Sequence, residues 1–345
     1  MRATALLILL PVSLSGQTLV GTVPQNRAAL LEEFTAINCG ICPEGHVIAA
    51  DLIAANPGQV VAVGLAGGGL SVPGVGQPDF RSTESLALWS HYSVAAQPLG
   101  LVNRVPYSGQ LVMSRTQWAN AVNTALALPA PVNIGMATSF DGGTRDLTVD
   151  VELYYTATGT GGNDYLHLLI TESGIIGYQQ DYTNGAQPNY VHKHVLRAYV
   201  SPLWGDEVMD NTAGHLEQRN YSFNVPSDWD INNSHVVAYV GEYQGGVYQV
   251  LEGEANGFST RVNEATASSS IGAPYPNPAS ELLFVPLDAE ANTPLDLRDA
   301  IGRAVAAPSN ATTSRLRSVD VSSLPDGIYM VGTPGGTHRR FSVVH

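Results

Sequence analysis

Two textures of apolar and polar positions divide the chain. Between residues 28 and 128, strand-like runs alternate with helix-like spacing. Residues 29–36 are mostly apolar, include Phe34, and predict a buried strand ending at Asn38-Cys39-Gly40. From 43 to 55, Val47, Ile48, Leu52 and Ala55 recur at helical spacing. Pro43 suits a first helical turn, where its missing N–H is not needed. Residues 60–66 predict a short strand, 67–78 a Gly/Pro loop, and 80–92 a helix carrying Leu86, Leu88 and Trp89. Two further strands are expected at 99–102 and 111–113, after which Ser114 can cap a helix bearing Trp118, Val122 and Leu126. The expected order is strand–helix–strand–helix–strand–strand–helix.

From Pro131 the pattern becomes alternating and β-branched. Strands are expected at 132–139, 146–155, 165–171, 192–200, 220–225 and 235–243. Asp141-Gly142-Gly143, residues 159–163 and Gln244-Gly245-Gly246 separate several of them as turns, which together predicts a β-sandwich. Small polar residues then fill 261–271 as a linker, and 272–345 is a short, strand-rich last unit. The expected domains are a signal peptide at 1–16, an α/β domain at 17–130, an all-β sandwich at 131–262, a linker at 263–271 and a small C-terminal β-sandwich at 272–345.

A length of 345 residues agrees with two or three domains. The net charge of −14 sits almost wholly upstream of residue 272, because the last unit has six Arg against seven Asp and Glu. Such a body repels nucleic acid and anionic lipid surfaces, and no Lys/Arg stripe reverses this. Lys193 is the only lysine.

The N-terminus has the pattern of an export signal. Met1-Arg2 supply positive charge, residues 3–14 are apolar, and Ser13-Leu14-Ser15-Gly16-Gln17 offers small residues for cleavage. The apolar run is shorter than the ~20 residues a membrane span needs, and Pro11 interrupts it as a buried helix. No cysteine follows it to carry a lipid, and no later stretch is apolar enough to span a bilayer. The expected location is outside the inner membrane, where thiols tend to be oxidised.

Chemistry concentrates at the only two cysteines, Cys39-Gly40-Ile41-Cys42. A strand leads in and Cys42 opens a helix, so helix-start amides favour a thiolate on Cys39. That setting lowers a thiol pKa of ~8.5 to roughly 3.5–7.5, and Cys42 is placed to resolve a mixed disulfide. The competing reading is a structural brace. Closing so short a loop stabilises by only about 2 kcal/mol, against about 3 for fifteen residues, so a pure brace gains more by linking distant segments.

Residues 31–43, Leu-Glu-Glu-Phe-Thr-Ala-Ile-Asn-Cys-Gly-Ile-Cys-Pro, resemble the active-site segment of the thioredoxin-like superfamily. The resemblance implies that Gln97-Pro98 is the cis-proline facing the cysteines, and that Glu33 is the buried carboxylate that helps deprotonate Cys42. Asn38 stands where tryptophan is usual, and Ile41 where thioredoxin itself has proline, so a thioredoxin-like potential does not carry over.

Glu33-Phe34-Thr35, residues 38–46, residues 98–104 (Pro-Leu-Gly-Leu-Val-Asn-Arg), residues 190–197 and Trp204-Gly205 resemble the Omp-twenty-eight-related outer-membrane proteins over about 28–260. Tyr275-Pro276-Asn277-Pro278-Ala279, then residues 295–303, then 319–331 resemble the type A C-terminal sorting domain of the type IX secretion system. That resemblance implies export by the type IX machinery through 272–345, removal near the linker, and release or attachment at the outer-membrane surface.

Other constellations carry less. Cys39, Cys42 and His46 lie close to one helical face without a fourth metal ligand, and His46 is expected on the surface. His192 and His194 are expected on one face of a strand, a metal-compatible spacing. Asp228-Trp229-Asp230-Ile231-Asn232 begins like a calcium loop but lacks the required glycine and closing glutamate. No P-loop, Gly-x-Ser-x-Gly or His-Glu-x-x-His occurs. No cofactor or metal is assigned. Two functions stay open: a surface binding protein for an unidentified protein or surface ligand, and a thiol–disulfide exchanger using Cys39, Cys42, Glu33 and Pro98.

Overall fold

The computed structural model describes residues 19–159, 162–256, 271–272, 274–287, 295–299, 305–313, 316–333 and 338–345. The expected signal peptide, linker residues 263–270 and the Ala300-Ile301-Gly302-Arg303 stretch lie outside them. Two units are resolved, through Asn263 and from Glu264.

The run Ala29–Thr35 forms β1, buried at six of its seven positions, and its two faces serve two cores. Leu30 and Phe34 join a core with Val61, Val63, Leu65, Leu88 and Trp89. Ala29 and Leu31 join another with Ala49, Leu52, Met113, Trp118 and Val122. This is the period-two alternation of a strand covered on both sides.

After β1 come α1 (Cys42–Ala55) and β2 (Val60–Ala66), which is parallel to β1 as a helical crossover requires. α2 (Thr83–His91) opens with a reciprocal Ser82–Ser85 cap. β3 (Leu99–Val102) runs antiparallel to β1 and pairs with the two-residue β4 (Met113–Ser114). α3 (Trp118–Leu126) follows a 3-10 turn at Arg115–Gln117, so Ser114 sits before that turn rather than at the start of α3.

The second half supplies β5 (Val132–Phe140), β6 (Asp146–Tyr155), β7 (Asp164–Glu172), β8 (Ile175–Asp181), β9 (Gly185–His192), β10 (Val195–Tyr199), β11 (Asp206–Val208), β12 (Leu216–Asn224), β13 (Ser234–Glu242) and β14 (Val247–Glu254). Nine strands form one sheet, ordered β14-β13-β7-β10-β2-β1-β3-β4 with β11 beside β7. The join is the Val195–Gly64 bridge, where the Gly64 N–H donates to the His194 carbonyl at 2.7 Å. Strands from both sides of the expected 130/131 boundary therefore share a sheet. The separate sheet β12-β6-β5 packs Val149 and Leu153 onto Leu168, Ile170, Val236 and Val240 of β7 and β13. One layer of this sandwich is thus continuous with the first sheet through β10 and β2, while its core is drawn from residues 132–255.

Two sequence expectations need correction. The strand expected at 192–200 is broken: β9 ends at His192, His194 adopts φ 53°, and β10 begins at Val195. The two histidines therefore do not share a strand face. The hairpin β8–β9 was not expected at all, because most of its residues keep some surface and it shows no buried apolar alternation.

A buried ion pair ties the sheet together. Arg104, just after β3, donates from Nε and Nη2 to the two carboxylate oxygens of Glu32 at 2.7 and 2.6 Å. Its Nη2 also donates to the Tyr239 hydroxyl of β13 at 2.8 Å. Asn103 and Arg104 both take positive φ to aim this side chain.

The second unit has two three-stranded sheets. One orders β15 (Leu282–Pro286), β18 (Leu316–Asp320) and β17 (Ser309–Thr313); the other orders β16 (Asp296–Asp299), β19 (Gly327–Gly332) and β20 (His338–Val343). Leu283, Val285 and Val319 from the first meet Tyr329, Val331 and Phe341 from the second. The Tyr329 hydroxyl donates to the Pro325 carbonyl at 2.8 Å. Overall the described residues are mostly β, with three α-helices.

Candidate functional site

Cys39 lies in the short loop after β1, and Cys42 is the first residue of α1, with Pro43 next. The loop is tight enough for the Cys42 N–H to donate to the Cys39 carbonyl at 3.2 Å. The two sulfurs form a disulfide with Cα atoms 5.4 Å apart. The Gln97–Pro98 peptide is cis, and the Gln97 carbonyl oxygen lies 3.9 Å from Cys39 Sγ. A disulfide sulfur has no proton to donate, so this is a contact. A Cβ placed on Gly45, one turn into α1, would lie 2.5 Å from Glu33 Oε1 and 3.1 Å from Pro98 Cβ. Glu33 and Pro98 thus meet at α1 just beyond Cys42.

Glu33 points to the opposite side of β1 from its neighbour Glu32. Its Oε1 is buried and accepts no hydrogen bond. With no partner to offset burial, its carboxyl is pushed up to about 8. His46 Nε2 is 3.8 Å away, but burial, and then His192 and His194, lower its imidazole to about 3. The two face each other as neutral acid and neutral imidazole at pH 7.

His46 is not the free surface residue expected. It is half-buried, with Nε2 2.9 Å from Thr35 Oγ1 and Nδ1 2.8 Å from the Tyr190 hydroxyl. His192 Nε2 lies 3.2 Å from the Tyr178 carbonyl. Among the described residues no group of three or more His, Cys, Asp and Glu is arranged to hold a metal. The Asp228–Asn232 stretch is a turn: Asp230 accepts from the Asn232 N–H, while Asp228 pairs with Arg197.

The feature that sequence reading missed is what lies over the disulfide. The Gln180 N–H donates to the Ile37 carbonyl and the Tyr182 N–H to the Gly40 carbonyl, each at 2.7 Å. Gln179 Nε2 donates to the carbonyls of Ala36 and Cys39, both at 3.1 Å. The hairpin β8–β9 is therefore strapped by backbone and side chain across the Cys39 loop. Cys39 keeps 2% of its surface and Cys42 none. A signal for this hairpin was present: Asn184-Gly185 is a strong hairpin-turn dipeptide, and Gly185 has φ 76°.

Two family models match the chain. The model of outer membrane protein Omp28 matches residues 85–256, and that of the secretion system C-terminal sorting domain matches 273–341. The chain carries an Omp28 domain and a sorting domain. The Omp28 match starts inside α2, after the disulfide, and takes in the hairpin that covers it. The sorting domain indicates secretion to the cell surface. Among solved structures, HBP35 of Porphyromonas gingivalis is similar at 18% identity and a TM-score of 0.52, over 93% of this chain and 99% of that one. At that identity the likeness shows a shared fold alone. A domain of the outer membrane lipoprotein Omp28 from the same organism matches at 22% identity, over 38% of this chain and 92% of that one, with a TM-score of 0.27. No curated protein matches the chain. Among the described residues, no helix is long and apolar enough to cross a membrane.

Proposed function

We propose that this is a cell-surface binding protein whose thioredoxin-like frame carries a shielded, structural Cys39–Cys42 disulfide. Export would follow signal-peptide cleavage after residue 16, with residues 272–345 engaging the type IX machinery. The thioredoxin-like reading rests on β1, α1, β2, β3 and β4, with the cis Gln97–Pro98 peptide against the sulfurs. One observation carries the binding reading: with the hairpin β8–β9 strapped to the Cys39 loop, Cys39 keeps 2% of its surface and Cys42 none. Thiol–disulfide exchange needs an incoming thiolate to reach a sulfur, so access sets its rate.

The test is redox titration and insulin-reduction turnover of the exported chain, with Cys39→Ser as control. The expected result is no turnover and a potential below about −300 mV, as for inert disulfides. Turnover abolished by Cys39→Ser would overturn the reading.

The exchanger reading is favoured by one specific feature, the neutral Glu33 carboxyl buried under the start of α1. There it would relay a proton for Cys42 while Cys39, stabilised by the helix-start amides, attacks. Pro98 would shape the partner groove. This chemistry requires the hairpin to lift off the Cys39 loop.

A further inference from the structure

A partly open cavity of about 300 Å³ is lined by α1, the β1/β2 face and the segment from Tyr190 to Val195. Its walls are largely apolar, with Ala50 from α1, Ala62 from β2, Phe80 and Val195. Lys193, the only lysine of a chain with net charge −14, and its chain neighbour His194 are both in the lining. His194 Nδ1 is buried without a hydrogen-bond partner, an arrangement that is costly unless a ligand atom satisfies it.

We propose that this cavity binds a small amphipathic carboxylate, its chain among Ala50, Ala62, Phe80 and Val195 and its anionic head at Lys193 and His194. The volume is at the lower end of small-molecule sites, roughly 300–1,000 Å³. A cavity of about 150 Å³ accommodates benzene, so twice that volume takes roughly a dozen non-hydrogen atoms. The sign of the charge follows from the lining. Its one acid, Glu33, is held protonated by burial at neutral pH, which leaves Lys193 as the fixed charge. A cationic head would meet that ammonium and three imidazoles, whereas an anion is attracted to them.

The same groups predict a proton signature. His46 from α1, and His192 and His194 from the covering segment, are all held neutral by burial, with Lys193 and the neighbouring His235 of β13 adding to the effect at His194. An anion among them raises their proton affinity. Ionisation of Glu33 at higher pH adds repulsion. Both effects make binding tighter at pH 6 than at pH 8, with proton uptake. The Tyr190 hydroxyl stays protonated over that range, since burial raises it.

The inference rests on the binding reading but not on the state of the disulfide. Redox assays report on the sulfurs and ligand titration reports on the cavity, so either can fail alone. The experiment is calorimetric titration of the full exported chain with decanoate, with 1-decanol and decylamine as neutral and cationic comparators. The expected result is one saturable decanoate per chain, at least about tenfold tighter than decylamine. Ala50→Phe, which fills the cavity, should abolish binding. Lys193→Met, a change at an exposed residue, should weaken decanoate about tenfold and leave decanol unchanged. Absence of saturable decanoate binding up to about 1 mM would overturn the proposal. So would decylamine binding as tightly as decanoate, decanoate affinity unmoved by Lys193→Met, or a folded Ala50→Phe chain that binds unchanged.

Discussion

The ring of Tyr182 occupies the space that a side chain on Gly40 would need, and the Tyr182 N–H donates to the Gly40 carbonyl. Gly40, one of the two residues between the cysteines, is thereby the seat of the hairpin strapped over their loop. Gly40→Ala places a methyl into that ring and should push the hairpin outward. The expected outcome is faster reduction of the native disulfide by a phosphine, by at least about tenfold, which corresponds to about 1.4 kcal/mol of lost shielding. Thiol release followed by a chromogenic reagent measures it. An unchanged rate would mean that the hairpin does not limit access.

Removing the disulfide itself should cost little. The Cys39→Ser/Cys42→Ser chain closes no loop in the unfolded state, and for so short a loop the expected loss is about 2 kcal/mol. Denaturant unfolding of the first unit's signal reads this directly. A loss several times larger would show that the buried sulfurs contribute mainly through packing.

The Arg104–Glu32 pair should behave asymmetrically. Arg104→Met leaves a buried carboxylate in the sheet and should destabilise by about 3–5 kcal/mol, whereas Arg104→Met with Glu32→Leu should recover most of that loss. Urea midpoints of the single and double variants test this. Equal loss in both would locate the effect in Arg104 packing on Tyr239 rather than in the unpaired charge.

Glu33 gives stability a definite pH slope. Its carboxyl is raised in the folded state, so the native chain holds a proton that the unfolded chain has released. Its contribution is complete below the ordinary carboxyl range of about 4.5 and is lost as pH rises through about 8. Half-buried His46 acts oppositely: its folded imidazole is depressed, so its contribution is lost as pH falls from about 6.5 toward 3. Glu33→Gln isolates the first effect. Between pH 5 and pH 8 the variant should gain on wild type by a few kcal/mol. A difference independent of pH would show that Glu33 does not titrate in that window.

Much of the frame was legible before any coordinates. The apolar run at 29–36, the helix from Pro43 and the strands at 60–66 and 99–102 were each signalled by periodicity, and the structure bounds them within a residue or two. The hairpin at 175–192 was not, because strands open to water need no apolar alternation. The two adjacent glutamates were equally opaque: β1 sends Glu32 to an arginine and Glu33 to a partnerless site, and only the neighbours distinguish them.

The sequence by itself determined where the cysteines fall, between a buried strand and a helix start, and that residues 273–341 form a sorting domain. These are local patterns, written in spacing and in short motifs. Only the tertiary structure decided that the sulfurs are covered, that one sheet spans residues 29–254, and that Lys193 stands beside an apolar cavity. Those facts depend on side chains more than a hundred residues apart in the chain, brought together by sheet pairing that no local pattern encodes.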